Sequence, residues 1–127
     1  MGWQSLCVGP FRAGTRWFVQ RAVRQGANRG LLGSRPAGRW QDGPVLLGSL
    51  KRALGDLDRV TAWLMVYGMV NADPGYSQTT HAINGFSDLI VDLYGPEVGV
   101  HARVAVGMAA LPLDNAVTVA AEVAVAD

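Results

Sequence analysis

Arg103 is the residue whose type and position suggest chemistry most directly. It is the only basic residue between Arg59 and the C-terminus, and it stands at the start of a small, apolar stretch, Val104 to Leu111. A guanidinium offers a planar fork of donors that matches a carboxylate, so an arginine in a cleft is suited to anchor an acidic ligand. An ion pair with an acid such as Glu122 on an adjacent strand is the simpler interpretation. Both interpretations stay open at the level of sequence.

Other residue types with catalytic or metal-binding chemistry are scattered. His81 and His101 are twenty residues apart without neighbouring ligands, which predicts surface or hydrogen-bonded histidines rather than a metal site. A phosphate-binding glycine pattern and a nucleophile elbow are absent from the second half of the sequence. Cys7 is the only cysteine, so an intrachain disulfide is excluded and a reducing compartment is favoured. We expect no metal, no disulfide and a cytoplasmic location.

The positive and negative charges are separated along the chain of 127 residues. Before Pro44 there are seven arginines and one acid, a net charge of +6, and after it four bases and nine acids, a net charge of −5. The overall charge of +1 therefore describes neither part. The acidic second part has no basic stripe, so no nucleic-acid partner is expected.

Residues 1–43 have an unusual composition, with eight glycines and three of the four tryptophans among the arginines. Apolar residues occur in isolated clusters without a sustained period, although Phe11 to Arg24 is compatible with a short basic helix. A mitochondrial targeting segment and a phosphate-binding basic arm are two alternatives. The interpretation that fits the composition best is a poorly ordered extension, or a segment whose reading frame or start site is not the original one. We therefore place a domain boundary at 43/44.

From Pro44 the hydrophobic pattern becomes regular. Apolar residues from Val45 to Leu54 recur every three or four positions and predict a helix that Gly55 ends. The stretch from Arg59 to Val70 is too apolar to alternate, as expected of a central strand buried on both faces. Its nearly unbroken apolar run, Val60 to Val70, is too short to span a bilayer, which takes about 20 residues. No charged stretch followed by an apolar core opens the sequence, so no secretory signal is expected.

The rest of the chain continues this alternation of elements. A second helical pattern lies within residues 76–94 and stops at Gly95-Pro96, and two strands, 104–110 and 117–125, follow. This order of elements (helix, strand, helix, strand, strand) predicts an α+β or α/β protein with helices on one face of a mixed sheet.

Four segments of this second part resemble the YjgF/RidA family. HARVAVG (101–107) followed by LPLDNAV (111–117) is similar to the family's arginine-bearing strand and Leu-Pro turn. ALGDLDRV (53–60), the Val70-Asn71 stretch with its Pro-Gly turn, and INGFSDLIVDLYG (83–95) match in the same order, so the resemblance covers about residues 45–125.

The resemblance implies a chorismate-mutase-like α+β fold that forms a homotrimer with ligand clefts between subunits. It also implies cofactor-free hydrolysis of small, carboxylate-bearing imines or enamines, such as 2-aminoacrylate, to a 2-keto acid and ammonia. Arg103 matches the family arginine that holds the substrate carboxylate, and Asn84 matches an asparagine at the rim of the cleft.

The sequence also departs from the family pattern. Thr118 stands where the family has a carboxylate that positions or activates water, and a threonine is no general base at neutral pH. Ala105 replaces a cysteine that is frequent in deaminase members. The family's first strands have no convincing counterpart in residues 1–43, where Gly33 to Pro36 only weakly resembles one loop of the family. Two hypotheses remain: an imine/enamine deaminase, or a non-catalytic trimeric ligand-binding module or remnant with an incomplete site.

Overall fold

A computed structural model describes residues 8–10, 16–23 and 43–126 of the chain. Two short 3-10 helices, Leu57–Arg59 and Pro112–Asp114, accompany five strands and two α-helices in these residues. In chain order these are β1 (Val8–Pro10), β2 (Arg16–Val23), α1 (Gly43–Leu54), β3 (Val60–Asn71), α2 (Thr79–Gly99), β4 (Ala102–Met108) and β5 (Val117–Val125).

Helix α1 confirms the first helical pattern. Its apolar stripe of Leu46, Leu47, Leu50 and Leu54 is buried, whereas Ala53, which the spacing also placed on that stripe, is exposed. Gly55 follows in the left-handed conformation, with φ at 84°, and its N–H donates to the Lys51 carbonyl at 2.8 Å. Glycine adopts this conformation without steric cost, so it ends the helix as expected.

Helix α2 shows the predicted interruption at Gly95. Gly95 has φ 75° and ψ 169°, so the helix breaks there and resumes from Pro96 to Gly99. Before the break, Ile83, Phe86 and Ile90 are buried at helical spacing. The break turns the chain back towards the sheet, and β4 starts three residues after Gly99.

The five strands form one sheet in the order β1-β2-β5-β3-β4. Strands β3 and β4 are parallel and are joined through α2, whereas the other neighbours are antiparallel. Both helices pack on one face, where Leu50 and Ile83 share a core with Val66 and Val119. This is the predicted α+β fold, a mixed sheet with helices on one face.

Strands β1 and β2 correct the expectation for the start of the chain. Strand β2 pairs with β5 over eight residues, from Arg16 opposite Ala124 to Val23 opposite Val117, so the helix considered for Phe11 to Arg24 is wrong for this part. The family's first strands therefore have a backbone counterpart here. Cys7 and the loop from Gly33 to Pro36 lie outside the described residues. The prediction of a poorly ordered extension and the domain boundary at 43/44 stay predictions.

The second face of the sheet corrects the expectation for β3. On the face away from the helices, Tyr67 of β3 pairs with Val104 of β4 and Met69 pairs with Val106, and residues 65 and 108 extend this row at its two ends. We call these six residues (Met65, Tyr67, Met69, Val104, Val106 and Met108) the open face. Tyr67, Val104, Val106 and Met108 are each 38 to 41% exposed, so β3 is not buried on both faces within one chain.

Candidate functional site

Arg103 lies on β4, the edge strand of the sheet, with its side chain on the helix-covered face. It pairs with Val66 of β3, a residue of the buried core, and is itself half-buried. Its Nη1 donates a hydrogen bond to Ser87 Oγ of α2 at 3.1 Å. The parallel crossover β3-α2-β4 brings these two residues together, since it lays the helix along the edge strand.

His101, just before β4, completes a hydrogen-bonded group with these two residues. Its Nε2 lies 3.0 Å from Ser87 Oγ, and its Nδ1 lies 2.6 Å from the carbonyl oxygen of Gly99. The sequence predicted a histidine that is either on the surface or hydrogen-bonded, and His101 is hydrogen-bonded. His81, by contrast, is exposed on α2.

The alternative ion pair between Arg103 and Glu122 is wrong. Strand β4 pairs with β3, and β5, which carries Glu122, lies on the other side of β3. Glu122 is opposite Met65, which pairs with Ala102, so its side chain is on the sheet face away from Arg103. Within residues 43–126 no carboxylate forms an ion pair with Arg103, and the guanidinium is left with donors for a ligand.

Asn84 lies on α2 one turn before Ser87 and is half-buried. Residues three apart are neighbours on a helix surface, so Asn84 and Ser87 belong to the same flank of α2. The structure therefore brings Asn84 to the side of the helix that faces Arg103. A role at the rim of a cleft stays a prediction.

Thr118 is not brought to Arg103 within one chain. It pairs with Met69 on β5 and so belongs to the face of the sheet opposite Arg103. Its side chain is 3% exposed, and Oγ1 is buried without a hydrogen-bond partner. A cleft that contains both residues requires a second copy of the chain.

Sequence reasoning missed Ser87 as part of the site. It is 16 residues from Arg103 and has no catalytic spacing with it, so only the crossover joins them. One feature of the sequence could have indicated Ser87: it follows Asn84 by three positions on a predicted helix, which puts the two residues on the same side of that helix.

The described residues hold neither a cluster of metal ligands nor a helix fit to span a membrane. No group of three histidine, cysteine or acidic side chains there is placed to hold a metal ion. Neither helix there combines the length and the apolar character that a membrane span requires.

Comparison with known proteins gives one curated relative and several solved structures. Protein TCP17 from Trypanosoma cruzi is 45% identical over 74 residues, which are 58% of this chain and 46% of TCP17. The chain thus matches about half the length of this curated relative. No protein-family model matches the chain.

Two solved structures share the fold over most of the chain. Protein Atu1372 from Agrobacterium tumefaciens, of unknown function, is 30% identical with a TM-score of 0.74, over 91% of this chain and 79% of that one. A Shewanella oneidensis protein named as a candidate endoribonuclease is 17% identical with a TM-score of 0.71, over 95% and 89% of the two chains.

These comparisons settle the class of protein. The mixed sheet with two helices on one face is that of the chorismate-mutase-like α+β proteins. With the arginine-bearing strand HARVAVG and a relative that is 30% identical over most of its length, the chain belongs to the YjgF/RidA family.

Proposed function

We propose that this protein hydrolyses small imines or enamines that carry a carboxylate, such as 2-aminoacrylate, and releases a 2-keto acid and ammonia. The observation that carries the proposal is the state of Arg103. Arg103 is half-buried on the edge strand, its guanidinium donates to Ser87, and it forms no ion pair within residues 43–126. A charged donor group kept partly from water without an internal anion is suited to an external carboxylate.

In this reaction the anchored substrate is attacked by water. An enamine such as 2-aminoacrylate first becomes the imine, as its terminal carbon gains a proton and its nitrogen loses one. The water oxygen then adds to the imine carbon while the imine nitrogen takes up a proton, and the resulting carbinolamine loses ammonia to give the keto group. Arg103 binds the carboxylate and fixes the reacting carbon in place, which lowers the entropic part of the barrier. Asn84, on the same flank of α2 as Ser87, is proposed to donate to the substrate at the rim. The family resemblance implies no cofactor for this step.

We propose a homotrimer in which the open face is covered by neighbouring copies. The run from Val60 to Val70 is apolar enough for burial on both faces, yet one chain covers only one of them. Thr118 and Arg103 lie on opposite faces of the sheet. We also propose a cytoplasmic location.

The test is release of ammonia and keto acid from freshly generated 2-aminoacrylate, on protein of verified mass and oligomeric state. For Arg103→Ala we expect kcat/KM to fall by about 100-fold, because removing one partner of a desolvated charge pair costs about 2 to 5 kcal/mol. Arg52→Ala is the matched control, since Arg52 is exposed on α1 and contacts Ser49 of the same helix. Equal activity of wild type and Arg103→Ala would contradict the role of Arg103.

A ligand-binding module without catalysis is the second candidate. It is favoured by Thr118, which supplies no carboxylate where the family has one. In that case pyruvate should bind with an affinity that depends on Arg103, while 2-aminoacrylate is hydrolysed no faster than in buffer. Turnover that depends on Arg103 would exclude this candidate.

A further inference from the structure

The contacts of His101 determine which ring nitrogen carries a proton. Nδ1 is 2.6 Å from the Gly99 carbonyl oxygen, and a carbonyl only accepts, so Nδ1 must be the protonated nitrogen. In the neutral ring Nε2 is then an acceptor. Ser87 Oγ, at 3.0 Å from Nε2, therefore donates its hydroxyl proton to His101.

This assignment determines how Ser87 meets Arg103. With its proton on the side of His101, Ser87 Oγ turns lone pairs towards Arg103, whose Nη1 donates at 3.1 Å. The hydrogen bonds run in one direction, from Arg103 to Ser87, to His101 and to the Gly99 carbonyl. Because arginine only donates and a carbonyl only accepts, the two ends fix this direction, and such chains strengthen each bond cooperatively.

We propose that Ser87 and His101 are positioning residues that hold the Arg103 guanidinium in the plane that receives the substrate carboxylate. The proposal rests on the proposed function, in which Arg103 is the carboxylate anchor. A free arginine side chain loses rotamer freedom when it binds, and that loss weakens affinity. One donor fixed on Ser87 restricts this freedom before binding and leaves the other donors for the ligand.

The same arrangement connects the middle of α2, at Ser87, and its end, at Gly99, to the site. Gly99, which ends α2, is buried, and a Cβ there would be 2.8 Å from the Ile90 carbonyl oxygen. The Gly99 carbonyl that orients His101 therefore belongs to a tightly packed piece of backbone. Ser87 and His101 therefore link Arg103 by hydrogen bonds to this tightly packed part of the fold.

The first experiment compares Ser87→Ala, Ser87→Thr and His101→Phe in the hydrolysis assay. We expect Ser87→Ala to raise KM by about 10-fold with a smaller change in kcat, since orientation of the anchor is lost while its charge remains. Ser87→Thr keeps the hydroxyl and should return KM to within about 3-fold of wild type, and His101→Phe should raise KM less than Ser87→Ala. Ser77→Ala, an exposed serine in the loop before α2, is the matched control and should leave KM unchanged.

A double-mutant cycle separates positioning from a merely structural role. If Ser87 acts through Arg103, Ser87→Ala should have no further effect on KM in the Arg103→Ala background, whereas independent effects would multiply. Nitrogen-15 NMR tests the hydrogen bonds without substrate. The neutral His101 ring should carry its proton on Nδ1. Rotation of the Arg103 guanidinium should become faster in Ser87→Ala.

The outcomes distinguish this inference from the proposed function. Turnover that depends on Arg103 but is unchanged by Ser87→Ala, or a His101 proton on Nε2, overturns the positioning role and leaves the deaminase intact. Pyruvate binding that depends on both Arg103 and Ser87, without turnover, supports the positioning role and overturns the deaminase. Absence of both turnover and pyruvate binding overturns both.

Discussion

At the scale of single residues, Thr118 combines a buried position with an unused hydroxyl. Its Oγ1 is without a hydrogen-bond partner, although the side chain is 3% exposed. A buried polar group without a partner costs free energy that an apolar side chain of the same shape does not. A residue that lowers stability in this way is a candidate for a binding role, because functional sites retain such costs.

Thr118→Val tests that role. We expect the free energy of unfolding to rise by about 1 kcal/mol, because the unpartnered hydroxyl is removed. If Thr118 contacts substrate in the trimer, KM for 2-aminoacrylate should rise in the same variant. Urea unfolding and the hydrolysis assay measure the two effects, and a gain in stability with unchanged KM would remove Thr118 from the site.

Tyr94 is a second buried residue whose chemistry can be measured. Its hydroxyl is buried without a hydrogen-bond partner, and its ring meets that of Trp63 at 5.6 Å in an edge-on arrangement. Burial, with a smaller contribution from the charge of Asp58, raises the pKa of Tyr94 to about 12. The folded state therefore keeps this proton at a pH where the unfolded chain, with a pKa near 10, has lost it.

Stability should accordingly fall as pH rises from about 10 to about 12, since the unfolded state binds fewer protons in that window. Tyr94→Phe should flatten this fall and leave stability near pH 8 unchanged or higher. Urea unfolding at pH 8, 10 and 11 compares the two proteins. An equal loss of stability in both over this range would show that folding does not raise the pKa of Tyr94.

At the scale of elements, the contact between β3 and α2 depends on Gly68. A Cβ at this position would lie 2.5 Å from Cγ1 and 2.6 Å from Cδ1 of Ile83. Ile83 is fully buried, so it has no room to move aside. The missing side chain of Gly68 therefore lets α2 approach the sheet closely enough to place Ser87 beside Arg103.

Gly68→Ala should lower the free energy of unfolding by about 1 to 3 kcal/mol, the usual cost of overpacking a core. Gly48→Ala is the matched control, because nothing lies within 4 Å of a Cβ there and alanine is favoured in helix α1. The control should be neutral or more stable by up to about 1 kcal/mol. Thermal unfolding of both variants measures the difference, and equal stabilities would contradict the close approach of α2.

At the scale of the whole molecule, the open face exposes apolar side chains that one chain leaves uncovered. Val104, Val106 and Met108 on β4 continue the apolar surface of Tyr67 on β3, all at 38 to 41% exposure in one chain. Contiguous apolar surface of this kind marks an interface, and an edge strand is a further site for association. The family resemblance implies a homotrimer, in which neighbouring copies of this chain would cover the open face.

Val106→Glu should convert the proposed trimer to monomers, because the new carboxylate would be buried without a partner at a cost of several kcal/mol. Leu93→Glu is the control, since Leu93 is 58% exposed on α2, away from the open face. Light scattering coupled to size-exclusion chromatography measures the mass of each variant. A trimer that survives Val106→Glu, or a wild type that is monomeric, would contradict this interface.

Much of the fold was predictable because its signals are local. The stripe in α1, the break at Gly95 and the alternation in β5 depend on residues within one or two turns of each other, and each was confirmed. Strand β2 was missed because its own residues show no regular hydrophobic pattern. It forms through pairing with β5, which is about a hundred residues away along the chain.

The sequence by itself determined the order of elements from Pro44 onward, the mixed α+β architecture and the choice of Arg103 as the chemical centre, since hydrophobic period and residue type are local properties. Only the tertiary structure decided what surrounds Arg103. The β3-α2-β4 crossover joins it to Ser87 and His101, and the strand order puts Glu122 and Thr118 on the opposite face. Side-chain alternation makes a strand's face depend on register, and register is decided by contacts between elements far apart in the chain.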